Sequence, residues 1–373
     1  MSSDRRYALN AICPYFTMFP LEYPMRVLAP ARLRTFKKPV VCDPYCGRGT
    51  TVFAARLRGI RAYGMDVAPV AVAIARAKLS ATNAHDVMSL VVELLVECPI
   101  APIPTGIFWN LAFHEETLAV ICRIRRALLN RRSSDPVAML RAVMLGAMHG
   151  PQPKTKEQGS YFSNQMPRTF SAKPDYAVRY WKRMRMRPQR IDVRAVVRKR
   201  LERVLAHHLA PALTTPVDIK CSDSRFAGAY NRLDHKITHV VTSPPYYGLR
   251  TYSQDQWLRE WFLGGSESVD YSVQPGLNHG SAELFAKSLA RVWNNVANHA
   301  SERIQLYIRF GGIRSRRTSA EAILRTSLEH SKYQWRIITR RAAATAEHGK
   351  RQAVQMTATN DPIEESDYVV GLR

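Results

Sequence analysis

The segment from Lys38 to Ser80 constrains the fold more than any other. It reads "KPVVCDP", a helical pattern from Thr50 to Leu57, "RAYGMD", and then "PVAVAIARAKLS". Short apolar or β-branched runs that alternate with helical patterns predict a parallel sheet with crossover helices. Gly59 is placed to end the first helix, and Pro69 is tolerated at the first turn of the second. The alternation resumes late in the chain. Strands are expected at Val217–Asp223, Thr238–Thr242, "RIQLYIRF", "QWRIITRRAA" and "SDYVVGL", with a helix over "SAELFAKSLARVWNNVANHA". In "QDQWLREWFLGG", Trp257 and Trp261 are four apart, share one helix face and read as core.

Between these two parts the character changes. From about residue 85 to 215 the patterns are helical, as in "VMSLVVELLVE", "ETLAVICRIRRALL" and "DPVAMLRAVMLGAM". A polar, Gly/Pro-punctuated basic stretch from Gly150 to Pro188 precedes a long basic helix, "IDVRAVVRKRLERVLAHHL". The expected organisation is an α/β unit of residues 1–84 and 216–373, interrupted by a helical basic insert of residues 85–215.

Charge narrows the partners. The 373 residues carry 55 Lys and Arg against 30 Asp and Glu, a formal net charge of +25. A field of that sign favours polyanions, with nucleic acid ahead of an anionic membrane surface. The Arg-rich segments lack the apolar face of a membrane-bound helix, and no run approaches the roughly 20 apolar residues of a membrane span. "MSSDRRYALN" has no apolar signal core, so an intracellular protein is expected. The six cysteines form no C-x-x-C pair; reduced, buried thiols are expected and no metal site.

Two constellations carry chemistry. "DPYCGRGTT" (Asp43–Thr51) falls at a strand–helix junction, where Gly47 and Gly49 permit a tight turn and free helix N–H groups face a ligand. It lacks both the full dinucleotide pattern and a phosphate-loop lysine. Asp66, closing the second strand, is suited to ribose hydroxyls, and Asp223, closing the third, to an adenine amine. Each alone reads equally well as a helix cap; together, in one alternating unit, they read as a ligand-binding edge. The second is "TSPPYY" (Thr242–Tyr247). Two prolines interrupt the ladder and free nearby carbonyl oxygens to accept from an amino group, while the ring that follows can stack on a flat base.

The pair "DPYCGRGTT" and "TSPPY" resembles the signature motifs of the amino-group DNA methyltransferases, and "YFTMFPLEYP" (Tyr15–Pro24) resembles their N-terminal cofactor segment. The similarity covers residues 12–80 and 215–310 and not the insert. It implies a Rossmann-like class I methyltransferase fold with a mostly parallel seven-stranded sheet. It also implies S-adenosyl-L-methionine as cofactor, held by Tyr15, Thr17, Phe19, Asp43, Pro44, Cys46, Gly47, Gly49, Thr50, Asp66, Asp223 and Ser243. Ser243, Pro244, Pro245 and Tyr246 would hold the target amine, with Tyr246 stacking on the flipped base and Tyr247 second. A serine that opens this motif after threonine favours the N4 amine of cytosine over N6 of adenine. Double-stranded DNA is the expected partner, and the family leaves room for a cognate restriction endonuclease.

The remaining nucleic-acid contacts are read from residue type. Arg179, Lys182, Arg183, Arg185 and Arg187 interleave with Tyr180 and Trp181, as either a backbone-binding stripe or a solvated helix face with core aromatics. Arg250 lies just past the proline motif. Asn164 and Gln165 are candidate adenine readers, or loop polar residues. Methylation of a ring carbon is disfavoured, because that chemistry uses a Pro-Cys thiolate and the chain has none. Adenine, structured RNA and a catalytically inactive binding protein stay open as alternatives.

Overall fold

The computed structural model describes residues 5–15, 20–152, 161–167, 173–205, 216–231, 233–248, 253–271, 277, 280–313, 319–343 and 363–373. One sheet organises them: β1 (Val40–Asp43), β2 (Arg61–Asp66), β3 (Val217–Cys221), β4 (Ile237–Thr242), β5 (Ala300–Ile313), β6 (Trp335–Ala342) and β7 (Ile363–Leu372). Their spatial order is β3-β2-β1-β4-β5-β7-β6. The pairs from β3 to β5 are parallel, and β7 runs antiparallel to both β5 and β6. This is a Rossmann-like methyltransferase fold with a mostly parallel seven-stranded sheet. All of β1 and all of β4 are buried, as central parallel strands covered on both faces must be. The connections reverse direction between β1 and β4, and a ligand crevice forms at the carboxyl ends of such a pair.

Two short helices, α1 (Glu22–Val27) and α2 (Pro30–Leu33), precede β1, while α3 (Thr50–Leu57) and α4 (Pro69–Leu79) follow β1 and β2. The middle of the chain supplies α5 (Ala84–Glu97), α6 (Ile107–Ala112), α7 (Glu115–Leu129), α8 (Asp135–Ala147), α9 (Pro174–Arg183) and α10 (Val193–Leu205). They do not stand apart from the sheet. Helix α8 packs along α4, α5 packs on α7, α8 and α10, and Val72, Ile74, Val87, Leu140 and Trp181 belong to one continuous apolar core. After β4 come α11 (Ser253–Phe262), whose Trp257 and Trp261 join that same core, and then α12 (Ala282–Asn298) and α13 (Ala320–Glu329). The last two cover the opposite side with a separate core of Phe285, Trp293 and Leu324.

Three features depart from the sequence expectation. The polar stretch before Pro188 contains a helix, α9, held by the buried stripe Pro174, Ala177 and Trp181, with Val178 and Tyr180 half-buried beside it and the charged positions facing solvent. Helix α13, capped by the Ser319 side chain on the Ala322 N–H, was not anticipated from its ten residues. Cys221 is exposed, whereas the other five cysteines are buried and all six are free. Among the described residues no helix is long and apolar enough to cross a membrane, and no cluster of His, Cys, Asp or Glu is arranged to hold a metal.

Candidate active site

The glycine loop leaves β1 at Asp43. Gly47 and Gly49 both adopt positive φ, at 50° and 78°. Their reasons differ. A Cβ on Gly49 would lie 2.7 Å from the Ala75 Cβ, so this glycine seats α3 against α4. A Cβ on Gly47 would meet nothing within 4 Å, so its backbone borders open space. Pro44, Cys46, Gly49 and Thr50, all expected to meet the cofactor, are buried behind it. Burial also pushes the Cys46 thiol well up, with Asp66 and Asp43 adding to the effect.

Two carboxylates flank the loop. Asp66 at the end of β2 accepts the Gly47 N–H at 2.9 Å through Oδ2 and the Ala68 N–H at 2.9 Å through Oδ1. It therefore shapes the loop, and each oxygen keeps a second lone pair for a hydroxyl donor. Asp43 is buried. Its Oδ1 accepts from the Thr242 hydroxyl at 2.6 Å and from the Tyr45 N–H at 3.2 Å, while Oδ2 has no partner. Burial raises its carboxyl to about 6 against the hydrogen bonds from Thr242, Thr51 and Tyr45. An open glycine, an orphaned buried carboxylate oxygen and a second carboxylate nearby fit a cofactor that carries positive charge, as S-adenosylmethionine does.

Asp223 differs from its expected role. Burial pushes its carboxyl up, but the hydrogen bonds and charge of Arg225 outweigh this and hold it low. The guanidinium grips both oxygens, Nε to Oδ1 at 3.0 Å and to Oδ2 at 2.9 Å, so the side chain is not free to receive an adenine amine. The residues missed from sequence are the apolar ones beside the two aspartates. Val67 and Phe226 are 42% and 62% exposed, on the segments that follow the paired strands β2 and β3. The signal was partial: Val67 directly follows the strand-end Asp66, whereas Phe226 lies three residues after Asp223.

The proline shelf begins one residue after Thr242, so the Asp43–Thr242 hydrogen bond ties the glycine loop to it directly. A second tie runs from the Thr51 hydroxyl to the Val241 carbonyl at 3.0 Å. Ser243 is half-buried, Pro244 buried and Pro245 exposed. Tyr246 departs from expectation. Its ring is only 7% exposed, meets Phe310 edge-on at 5.7 Å, and its hydroxyl donates to Glu365 at 3.0 Å. Such a ring walls the shelf rather than standing free to stack. Tyr247, half-buried against Phe285, is the more open of the two.

The N-terminal cofactor segment is represented by Tyr15; Thr17 and Phe19 lie outside the described residues. Burial and then Asp66 push the Tyr15 hydroxyl up, while Arg259 on α11 pulls it down, so the ring sits among these groups. Just upstream, Arg48 donates to the Cys13 carbonyl at 3.2 Å and Lys78 to Asn10 Oδ1 at 2.8 Å. These two buried cations fasten residues 10–13 to the loop and to α4.

The expected nucleic-acid contacts divide. Arg179, Lys182, Arg183, Arg185 and Arg187 are exposed on and after α9, with Arg183 over the Tyr180 ring at 5.7 Å, whereas Trp181 is core. Asn164 is no reader as placed. Its backbone N–H and its side-chain amide donate to the Ala112 and Leu111 carbonyls, both at 2.6 Å, pinning its loop to α6. Gln165 is half-buried beside it, and Arg250 lies outside the described residues.

The strand order is that of a Rossmann-like methyltransferase fold, with the glycine loop and the proline segment at its switch point. No protein-family model and no curated protein matches the sequence. Two solved structures of the rRNA methyltransferase AviRa from Streptomyces viridochromogenes are similar in shape, at 15% and 14% identity. Each covers all of this chain and 93% of its own, with a TM-score of 0.38. A structure described as an rRNA methylase from Clostridium thermocellum aligns at 8% identity over 95% of this chain and all of its own, with a TM-score of 0.31. The fold is defined by its own strand order, and likenesses at this level add nothing about substrate.

Proposed function

We propose that the protein is an S-adenosylmethionine-dependent methyltransferase acting on the exocyclic amine of a nucleobase, in the first place N4 of cytosine in double-stranded DNA. The observation that supports it is the hydrogen bond from Thr242 to Asp43, which ties the proline shelf to the glycine loop on neighbouring strand ends. Cofactor loop and amine-binding shelf thereby share one crevice.

Asp66 and the open Gly47 backbone border the cofactor's place. When bound, S-adenosylmethionine supplies a methyl group already activated by the sulfonium charge. The chain's own task is position and hydrogen-bond acceptance. An aromatic amine is a poor nucleophile because its lone pair is delocalised into the ring. The Ser243 hydroxyl and the Pro244 carbonyl accept hydrogen bonds from the amine and draw the nitrogen toward tetrahedral geometry as charge develops; as the N–CH3 bond forms the S–CH3 bond breaks to leave a neutral thioether, and the surplus amine proton passes to water. Holding the reactants in line contributes roughly 7–11 kcal/mol. No covalent bond to the enzyme is needed, in keeping with the raised Cys46 thiol beside the loop. The base must leave the duplex stack, at a cost of a few kcal/mol. Tyr247 is the ring placed to receive it, and the exposed cations of α9 hold phosphates.

The test is labelled methyl transfer from S-adenosylmethionine to duplex DNA and, in parallel, to structured RNA, with the nucleosides separated by mass spectrometry. N4-methylcytosine from DNA is expected. Ser243→Ala should lower turnover on the order of a hundredfold with cofactor affinity little changed, and Asp66→Ala should chiefly weaken the cofactor. N6-methyladenine would overturn the choice of base, and label only in RNA the choice of polymer. Neither transfer nor cofactor binding would sink the enzymatic reading altogether.

A further inference from the structure

Helix α11 carries a guanidinium that the fold does not pair. Arg259 is 3% exposed, and no Asp or Glu lies within ion-pair distance of it among the described residues. Its Nη1 donates to Gln256 Oε1 at 3.2 Å, while its Nη2 has no partner. The Gln256 side-chain amide nitrogen is also buried and unpartnered. A charge held this way costs far more than it returns unless something else completes it.

The surroundings say what kind of group completes it. Phe262 and Leu263, on the same face of α11 as Arg259, line a cleft with Pro69, Val72 and Ala73 at the start of α4, which begins three residues after Asp66. Arg259 itself does not line that cleft; it is tied to the carboxyl edge of the sheet through Tyr15, whose hydroxyl feels the charges of both Asp66 and Arg259. Its position is fixed from outside: Arg125 on α7 donates to the Trp261 carbonyl at 2.7 Å, and Lys173 pairs with Asp255 at 3.3 Å. Beside it stands His149, buried and neutral, its ring pushed down to about 3 by burial and then by the Arg259 charge. The Ser163 hydroxyl donates to the Asn164 carbonyl, so it accepts from His149 Nδ1 at 2.7 Å. His149 Nε2 is then left as a bare acceptor without a partner. Two unpartnered donors, one of them cationic, and one unpartnered acceptor match the two ends of an amino-acid zwitterion. Depth excludes a nucleic-acid phosphate, which stays attached to a polymer and cannot follow a guanidinium that is 3% exposed.

We propose that Arg259, oriented by Gln256, is the seat of the α-carboxylate of the methionine moiety of S-adenosylmethionine, with His149 Nε2 facing its ammonium. This rests on the cofactor reading above and adds to it a residue outside the glycine loop and the N-terminal segment.

Calorimetry on the full-length protein tests it without turnover. Wild type is titrated with S-adenosylhomocysteine, with its decarboxylated analogue and with methylthioadenosine, which lacks the amino-acid portion. S-adenosylhomocysteine should bind roughly ten- to a hundredfold more tightly than the decarboxylated analogue, the worth of one charge-assisted hydrogen-bonded contact. Arg259→Gln should abolish that preference while leaving methylthioadenosine affinity within about twofold. Equal affinity of wild type for the acid and its decarboxylated analogue overturns the seat and leaves the cofactor reading intact. This ligand comparison needs no variant, so a folding defect in Arg259→Gln does not protect the proposal. No binding of any adenosyl ligand overturns the cofactor reading, and the seat with it.

Discussion

The two faces of the sheet treat buried polar groups differently. On the α12–α13 face they are matched. The Trp293 indole donates to the Ser327 hydroxyl at 3.0 Å, Ser327 donates on to the Leu324 carbonyl at 2.7 Å, and the Asn295 amide donates to the Ser224 carbonyl at 3.1 Å. The Tyr230 and Tyr45 hydroxyls, both against this core, are exceptions among the described residues. On the face shared by α4, α8 and α11, unpartnered atoms gather: Arg48 Nε, Arg56 Nη2, His149 Nε2, Gln256 Nε2, Arg259 Nη2 and the indoles of Trp181 and Trp261. Buried polar groups are normally satisfied, because leaving one unmet costs about 1–3 kcal/mol. A face that repeatedly omits this is built around something other than its own stability. On the cofactor reading proposed above, the α12–α13 face is scaffold and a ligand completes the opposite face.

The largest effect belongs to the scaffold. Trp293→Ala removes a fully buried ring and the donor to the Ser327 hydroxyl; it should cost about 3–5 kcal/mol in urea unfolding. Affinity for S-adenosylhomocysteine, measured while the variant is still folded, should hardly move. A loss of affinity as large as the loss of stability would mean the two faces are not separable.

Next comes the buried carboxylate between them. The Asp43 carboxyl stands at about 6 in the folded protein against an ordinary 3.8, a difference equivalent to roughly 2–3 kcal/mol. Its folded value is raised, so the contribution is fully present below about pH 4 and is lost as pH climbs through about 6. Ligand-free stability should therefore fall across this window on account of Asp43. His149 and His239, pushed down to about 3 and about 4 by burial, act in the opposite sense as pH drops from the ordinary histidine range. The informative quantity is the difference between wild type and Asp43→Asn in thermal melts from pH 4 to pH 7. A difference that does not change with pH would show that Asp43 is ionised throughout.

The contrast between the faces also sorts what could be read from the sequence. Strands β1 and β2 with α3 and α4 were legible to within a residue or two, because central parallel strands are apolar throughout and the glycine and proline signals bracket them. The glycine loop and the proline shelf were legible because their backbone requirements are local. The fate of Tyr246 was not, since it is decided by Phe310 and by Glu365, 119 residues away in sequence. Nor was Asn164, whose amide is spent on α6. Arg259 was the least visible of all. In a chain with 55 Lys and Arg it is one more cation, and only the packing of α4, α6 and α7 around α11 makes it buried and unpaired.

The smallest predicted change is therefore the most telling. Arg259→Met keeps a long side chain in place and removes the unmatched charge. Replacing a buried charge by an apolar side chain of similar length is often neutral or stabilising, whereas breaking a real buried pair costs about 3–5 kcal/mol. Urea unfolding of the ligand-free variant should show stability unchanged or raised by up to about 1 kcal/mol. Saturating S-adenosylhomocysteine should stabilise wild type by more than it stabilises the variant, because the gain follows the dissociation constant. If the ligand-free variant instead lost 3 kcal/mol or more, Arg259 would have a partner within the fold. The face beside α4 would then be as self-contained as the face under α12 and α13.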